Sequence, residues 1–209
     1  MMKPGEMFQF ICNSENNYKE NGDDLDWLIH EDDDTLYLVF QPSRSASDWV
    51  NNFDIGIRMY DHNGVKLYIH RGFARCYRSG NDMVMKEFLP RVEKAKGKKI
   101  VITGWSFGGA MSVLAAEDLF FRTGIKADVI TFGAPNVAAF WSKATKKALF
   151  DSINSLTQYA RVGDIVPICP PFFSKLKSPI KIGKFSFKMF PIIMQKALHK
   201  DYSNPELYK

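Results

Sequence analysis

Cysteine is scarce in this chain of 209 residues, and this scarcity excludes the sites that cysteine usually builds. Cys12, Cys76 and Cys169 are an odd number and contain no Cys-x-x-Cys pair. The sequence therefore predicts neither a disulfide framework nor a zinc knuckle. We expect three reduced, partly buried thiols.

Long apolar runs are also missing. Residues 8–12 are too short for the apolar region of a signal peptide, and no later stretch has the length of a membrane span. We therefore expect a cytoplasmic protein, or one exported by another route.

Acidic residues are few after residue 100. The first hundred residues hold 14 Lys and Arg against 16 Asp and Glu, whereas the remainder holds 14 against 7 and is basic at +7. A basic half suits an anionic lipid surface or nucleic acid, and a solvated basic surface is the simplest interpretation. Because the chain has no nucleic-acid-binding motif, we expect no nucleic acid partner.

What is present fits one globular domain. The composition is 45% apolar and 24% charged, and the length allows a substantial core. We predict a single domain over residues 1–209, in which 1–34 form an acidic N-terminal extension with a hairpin, and 168–209 form a basic, aromatic C-terminal segment. The acidic residues of 14–34 lack the spacing of an EF-hand loop, so calcium is not expected.

Strand and helix patterns alternate along most of the chain, which predicts an α/β fold: a mostly parallel central sheet with helices on both faces. A hairpin around Asn63-Gly64 interrupts this order. Strands are predicted at 25–29, 35–40, 55–60, 65–70, 99–103, 126–132, 155–162 and 180–187, and helices at 46–53, 81–96, 107–122 and 137–150.

Residues 99–116 carry the strongest functional signal. A β-branched run leads into Gly104-Trp-Ser106-Phe-Gly108, and a helix pattern follows. In that context Gly-x-Ser-x-Gly indicates a nucleophilic serine on a strained turn from strand to helix. The helix that begins at Phe107 aims free N–H groups at an oxyanion beside Ser106.

A serine nucleophile needs a base and a group that orients the base, in the chain order serine, acid, histidine. Of the four histidines, three precede Ser106, which leaves His199 as the base. Among the acids between the two, only Asp164 directly follows the carboxyl end of a predicted strand, where α/β sheets build their sites. The other candidates lie within helices, after a helix or at a strand's beginning: Glu117, Asp118, Asp128 and Asp151.

Six segments, in order, resemble the class 3 lipases, the fungal-type group of α/β-hydrolases. The resemblance covers about residues 35–202, and Gln41-Pro42 departs from the family's Arg-Gly. The segments are Phe40-Gln-Pro-Ser43, His70-Arg-Gly-Phe73, Gly104-Trp-Ser-Phe-Gly-Gly109, Thr131-Phe-Gly-Ala-Pro135, Asp164-Ile-Val-Pro167 and His199-Lys-Asp-Tyr202.

The resemblance implies an α/β-hydrolase fold and a complete site. Ser106 is then the nucleophile, His199 the base and Asp164 its orienting acid, while Ser43 and the Phe107 N–H form the oxyanion hole. It also makes His70 structural. Residues 46–53 are either a lid helix or an ordinary surface crossover, and the predicted lid or substrate contacts are Trp49, Val50, Phe53 and Trp105.

We therefore predict a serine carboxylester hydrolase that cleaves acyl esters, of glycerolipids or of a small soluble ester, in the manner of a triacylglycerol lipase or a phospholipase A1. No metal or organic cofactor is needed. The basic, aromatic segment 168–209 is expected to suit a membrane or lipid surface. One alternative is a lipid- or partner-binding protein on an inactive hydrolase fold, and another is a nucleic-acid-associated protein that uses its lysine-rich tail.

Overall fold

A six-stranded sheet forms the centre of the molecule. The computed structural model describes residues 1–20, 25–42, 56–62, 64–184, 202 and 204–208. The strands are β1 (Trp27–Glu31), β2 (Thr35–Phe40), β3 (Ile57–His62), β4 (Val65–His70), β5 (Lys99–Trp105), β6 (Asp128–Phe132), β7 (Ala138–Ala139), β8 (Ser155–Arg161), β9 (Phe173–Ser174) and β10 (Ile180–Ile182). The helices are α1 (Pro4–Asn13), α2 (Arg71–Lys94), α3 (Phe107–Thr123) and α4 (Lys143–Asp151).

The central sheet has the order β1-β2-β5-β6-β8-β10. Only the β1–β2 pair is antiparallel, and the other four neighbouring pairs are parallel. A smaller antiparallel sheet has the order β3-β4-β7-β9 and is attached beside the larger one. The predicted mostly parallel sheet is confirmed. The carboxyl ends of β5, β6 and β8 meet at one edge, where the chain places its turns 104–106, 133–136 and 162–165.

Both faces of the central sheet are buried, and β2 shows the alternation directly. Leu36, Leu38 and Phe40 point into a large core with α2, α3 and α4. Tyr37 and Val39 point the other way, into a smaller core with α1 and Tyr202. Successive side chains of a strand face opposite sides, so every residue of β2 is covered.

Most predicted elements that fall on described residues appear within about two residues of their predicted bounds, but the helices predicted at 81–96 and 137–150 and the strand predicted at 180–187 differ more. Helix α2 begins ten residues before the predicted 81 because His70 caps its N-terminus, and it continues through Pro90. The predicted helix 137–150 is instead the short strand β7 followed by α4. The hairpin β3–β4 is confirmed, with Gly64 at φ +82°, a value that glycine adopts readily.

The N-terminal residues are integrated into the fold. Strands β1 and β2 form the predicted hairpin with an acidic tip at residues 32–34. Sequence patterns did not predict α1, which buries Met7, Phe8 and Ile11. The three cysteines are not disulfide-bonded to one another, and each is partly buried, as expected. Within the described residues, no helix combines the length and apolarity needed to cross a membrane.

Candidate active site

Ser106 lies at the turn between β5 and α3, with a strained backbone. Its φ of +56° and ψ of −123° belong to a region that non-glycine residues rarely adopt. The Ser106 N–H donates to the Phe132 carbonyl at the end of β6, over 2.9 Å. The side chain is 1% exposed, and its Oγ has no hydrogen-bond partner among the described residues. A buried polar atom without a partner in a strained turn is typical of a functional residue.

The flanking glycines permit a backbone approach that a side chain would block. A Cβ on Gly104 would stand 2.4 Å from the Gly108 carbonyl, and one on Gly108 would stand 2.3 Å from the Phe40 carbonyl oxygen. Helix α3 therefore begins in direct contact with the end of β2. After Phe40, the chain therefore leaves the sheet beside Ser106 and continues with Gln41, two residues before Ser43.

Phe107 is the first residue of α3, where backbone N–H groups have no acceptor within the helix. These N–H groups, together with the helix dipole, favour negative charge beside Ser106. Gln41, two residues before Ser43, is buried, and its Oε1 has no hydrogen-bond partner among the described residues. The predicted contribution of Phe107 to an oxyanion hole agrees with this geometry.

Asp164 lies at the same sheet edge, in the turn after β8, where Gly163 has φ +90°. The carboxyl group is buried, and its Oδ1 accepts the Val166 N–H over 3.0 Å. Its Oδ2 accepts the Tyr202 hydroxyl over 2.7 Å. Asp164 is thus held by two donors, as a residue that orients a base has to be.

Tyr202 is the residue that the sequence analysis missed. Its hydroxyl accepts the Arg161 N–H over 2.9 Å and donates to Asp164, so it joins the end of β8 to the carboxyl group. The side chain is fully buried and packs on Phe8 and Phe132. Burial, and secondly the nearby Asp164 charge, raise the pKa of Tyr202 far above its ordinary value, so the hydroxyl stays protonated. A signal was available, because Tyr202 ends the matched segment that begins at His199.

The other candidate acids all have partners elsewhere. Glu117 binds His62 Nδ1 at 2.6 Å, and Asp118 accepts from Tyr77 and Arg122. Asp128 accepts from Asn154 and Ser155 at the opposite sheet edge, and Asp151 pairs with Lys147 at the end of α4. The elimination that selected Asp164 agrees with these positions.

The described histidines likewise have structural surroundings. His30 pairs with Asp32 in the acidic hairpin, and the His62 ring stacks on Phe121. His70 is buried between Phe73 and Phe173, and its Nδ1 accepts the Phe73 N–H at the start of α2. The structural role expected for His70 agrees with this position.

Several predicted site residues lie outside the described part of the chain: His199, Ser43, Trp49, Val50 and Phe53. The helix predicted at 46–53 lies outside it too, as do residues 185–187 of the strand predicted at 180–187. Within the described part that strand is shorter than predicted: β10 ends at Ile182, before Gly183 with φ +75°. Trp105 is described, and its ring packs edge to face on Phe8 of α1, with centroids 5.4 Å apart. This contact places Trp105 against the smaller core, and its predicted contact with substrate stays a prediction.

The described part of the site therefore combines a strained, buried serine, the N-terminus of α3 and a fixed carboxylate. Neighbouring strands are about 4.8 Å apart, so Ser106 after β5 and Asp164 after β8 are separated by roughly two strand spacings. One imidazole ring suits a gap of that size. Burial, and secondly the Asp164 charge, raise the pKa of Cys169, which favours the protonated thiol over the thiolate.

Comparison with known proteins gives a consistent family. Residues 37–174 match the family model described as Lipase (class 3). The protein LIH1 of Saccharomyces cerevisiae, named as a candidate lipase, is 30% identical over 169 residues, which are 66% of this chain and 51% of that protein. The chain thus spans about half the length of this relative.

Solved structures show the same fold. Lipase II from Rhizopus niveus aligns with a TM-score of 0.68 at 20% identity, over 80% of this chain and 72% of that one. A triacylglyceride lipase from Rhizomucor miehei aligns with a TM-score of 0.66 at 24% identity, over 77% and 63%. Together with the sheet order described above, they establish the α/β-hydrolase fold.

Proposed function

Because the chain belongs to the class 3 lipase family, we propose that it is a serine carboxylester hydrolase that cleaves acyl esters through an acyl-enzyme intermediate. The observation that carries this proposal is the Ser106 turn, where a buried hydroxyl with no hydrogen-bond partner in the described part of the chain stands at the start of α3. A strained turn of this kind is costly, so a functional role explains it better than a capping role does.

In the first step, Ser106 Oγ attacks the ester carbonyl carbon while His199 takes the serine proton. Asp164 orients the imidazole and stabilises its positive charge. Support for His199 comes from chain connectivity, because Tyr202 is bonded to Asp164 and three residues span at most about 10 Å. The developing oxyanion is held by the Phe107 N–H and Ser43.

His199 then gives its proton to the leaving alcohol, and the C–O bond of the ester breaks. In the second step, His199 takes a proton from water, and the resulting hydroxide attacks the acyl carbon. Ser106 recovers its proton as the acid leaves. The protein residues account for every proton in this sequence.

The substrate class that we propose is the acyl ester of a glycerolipid. The similar Rhizomucor miehei protein is named as a triacylglyceride lipase, and the basic second half of this chain suits an anionic lipid surface. Whether the ester belongs to a neutral lipid or to a phospholipid is decided by measuring both. A cytoplasmic location remains a prediction.

The test compares wild type with Ser106→Ala on nitrophenyl butyrate and nitrophenyl palmitate. We expect kcat to fall at least about 10⁴-fold, since loss of the nucleophile removes the covalent route. Ser112→Ala is the matched control: this buried serine lies two turns along the same helix, and its hydroxyl donates to the Gly108 carbonyl. The control is expected to stay within about twofold of wild type.

An active-site phosphonate supplies an independent readout. We expect one phosphonyl group per chain on the peptide that contains Ser106, and none in Ser106→Ala. Equal inertness of wild type and variant in both assays would contradict the hydrolase and favour a binding protein on an inactive hydrolase fold. Hydrolysis that survives Ser106→Ala would also contradict the mechanism.

A further inference from the structure

Three exposed aromatic side chains, on the loops that follow β7 and precede β9, form a patch. Phe140 is 51% exposed, Trp141 49% and Phe172 65%, which are high values for large apolar residues. The Phe140 ring meets Trp141 edge to face at 5.1 Å and lies 6.4 Å from the Phe172 ring. We call these three residues the aromatic patch. Clustered exposed aromatics mark interaction surfaces, whereas single ones need no explanation.

The patch is built by two loops that are bonded to each other. The Phe140 N–H donates to the Phe172 carbonyl over 3.1 Å, and strands β7 and β9 pair beside it. Phe172 has φ +67°, an unusual value for an aromatic residue. The fold thus holds Phe172 outward at a conformational cost, although its side chain contributes little to the core.

Both loops of the patch continue from segments that end near the candidate site. Its first loop continues from β6, whose last carbonyl accepts the Ser106 N–H. Its second loop continues from Asp164 and carries Ile168, which is 61% exposed. Phe140 follows Phe132 by eight residues and Phe172 follows Asp164 by eight, so both loops lead from the site to the patch.

Two lysines of α4 lie next to the patch in the described part of the chain. Lys143 begins α4, is exposed and lies two residues after Trp141. Lys146 Nζ donates to the Phe140 carbonyl over 3.1 Å, so this ammonium group stands at the base of the patch. The acid on the same helix, Asp151, lies at its far end and pairs with Lys147. Aromatic rings with adjacent lysines fit the headgroup region of an anionic bilayer.

We propose that the aromatic patch is a fixed anchor that docks the protein on an anionic phospholipid surface, with the three rings in the headgroup region and Lys143 and Lys146 beside lipid phosphates. This proposal rests on the proposed function, lipid-ester hydrolysis. Binding of the anchor to a lipid surface does not itself require turnover of the substrate. Partitioning of an aromatic ring into the interface is favourable, and each nearby lysine adds electrostatic attraction.

The test measures binding of the Ser106→Ala protein to 100 nm vesicles by co-sedimentation, so that hydrolysis plays no part. We expect at least tenfold tighter binding to phosphatidylcholine with added phosphatidylglycerol than to phosphatidylcholine alone, weakened by salt. Phe140→Ser with Phe172→Ser is expected to weaken binding at least tenfold. Lys143→Gln is expected to weaken binding to the anionic vesicles alone. Brominated acyl chains should quench tryptophan fluorescence, and this quenching should fall in Trp141→Phe.

The matched control is Met59→Ser with Met83→Ser, which removes two equally exposed apolar side chains from β3 and α2. It should bind vesicles like the parent protein. With Ser106 restored, the Phe140 and Phe172 double variant should hydrolyse nitrophenyl butyrate within about twofold of wild type. Three results would overturn the proposal: vesicle binding that is unchanged in the patch variants, equal binding to both vesicle types, or self-association of the protein through the patch in sedimentation. A failure of esterase activity with intact vesicle binding would contradict only the proposed function.

Discussion

Tyr202 shows how one hydroxyl group connects distant parts of the chain, because it binds both the Arg161 N–H and the Asp164 carboxylate. We expect Tyr202→Phe to lower kcat for nitrophenyl butyrate roughly 10- to 100-fold with KM nearly unchanged, since a misplaced Asp164 no longer orients the base. The free energy of unfolding should fall by about 1–3 kcal/mol because the carboxylate and the Arg161 N–H each lose a partner. Steady-state kinetics and urea unfolding measure the two effects.

Tyr37→Phe is the control for that prediction. The Tyr37 hydroxyl is also held by a backbone donor, the Met2 N–H at 2.8 Å, and its side chain is buried against the same small core. We expect a comparable stability loss with unchanged kcat. If both variants lowered kcat equally, the role of Tyr202 in positioning Asp164 would be rejected in favour of general stability.

The sequence could predict some residues of the site because their roles depend on local context. Ser106 follows from the strand, turn and helix around it, and Asp164 from its position after a strand. Tyr202 could not be found in this way, since its hydrogen bond joins residues 38 positions apart and tyrosine has no fixed spacing from the acid. The bond exists only because the smaller core places the ring against Phe8 and Phe132.

Helices α2 and α3 are joined through a buried carboxylate. Asp118 accepts from the Tyr77 hydroxyl over 3.0 Å, the Asn81 amide over 3.1 Å and Arg122 Nε over 2.7 Å. Burial, and secondly the Asp118 charge, raise the pKa of Tyr77 well above its ordinary value, so its hydroxyl remains a donor. Donors from two helices therefore provide the hydrogen bonds of one buried carboxylate.

We expect Asp118→Ala to lower the free energy of unfolding by about 3 kcal/mol, because Tyr77 and Arg122 lose their shared acceptor. Esterase activity of the folded protein should stay within about twofold, since twelve residues of helix place Asp118 about 18 Å from Ser106. Asp151→Ala, which breaks an exposed pair with Lys147, should cost less than about 0.5 kcal/mol. A similar loss in both variants, measured by urea unfolding, would contradict the network's importance.

The elements themselves were predictable where packing and local pattern agree. The hairpin and α3 have strong turn and stop signals, including Gly124 at φ +73° after the helix. Helix α2 was predicted too short because its first turns depend on His70, whose Nδ1 accepts the Phe73 N–H only in the folded chain. Strand β7 was missed because two residues are too few to show the alternation of a strand. Its pairing with β4 and β9 depends on the tertiary structure.

At the scale of the whole molecule, the central sheet separates two cores. Phe88 is buried in the core with α2 and α3, and Phe8 in the core with α1. We expect Phe8→Leu and Phe88→Leu each to cost about 1–2 kcal/mol, and the double variant to cost their sum within about 0.5 kcal/mol. Urea unfolding of the two single variants and the double variant measures this.

Phe8→Leu with Phe132→Leu is the contrasting pair, because these rings meet edge to face at 5.4 Å within one core. Their costs should depart from additivity by at least about 0.5 kcal/mol, as expected for residues in contact. Strong coupling between Phe8 and Phe88 instead would show that the sheet transmits packing changes from one core to the other.

The bond between Tyr202 and Asp164 also has a consequence for protein synthesis. A ribosome adds residues in sequence order, so β5, Ser106 and all of β8 are made long before residue 202 is joined to the chain. Until then, the buried Asp164 lacks its Tyr202 donor and the serine lacks a histidine that follows it in sequence. A growing chain therefore carries an incomplete candidate site, and the proposed hydrolysis can begin only after residues 199–202 have been added.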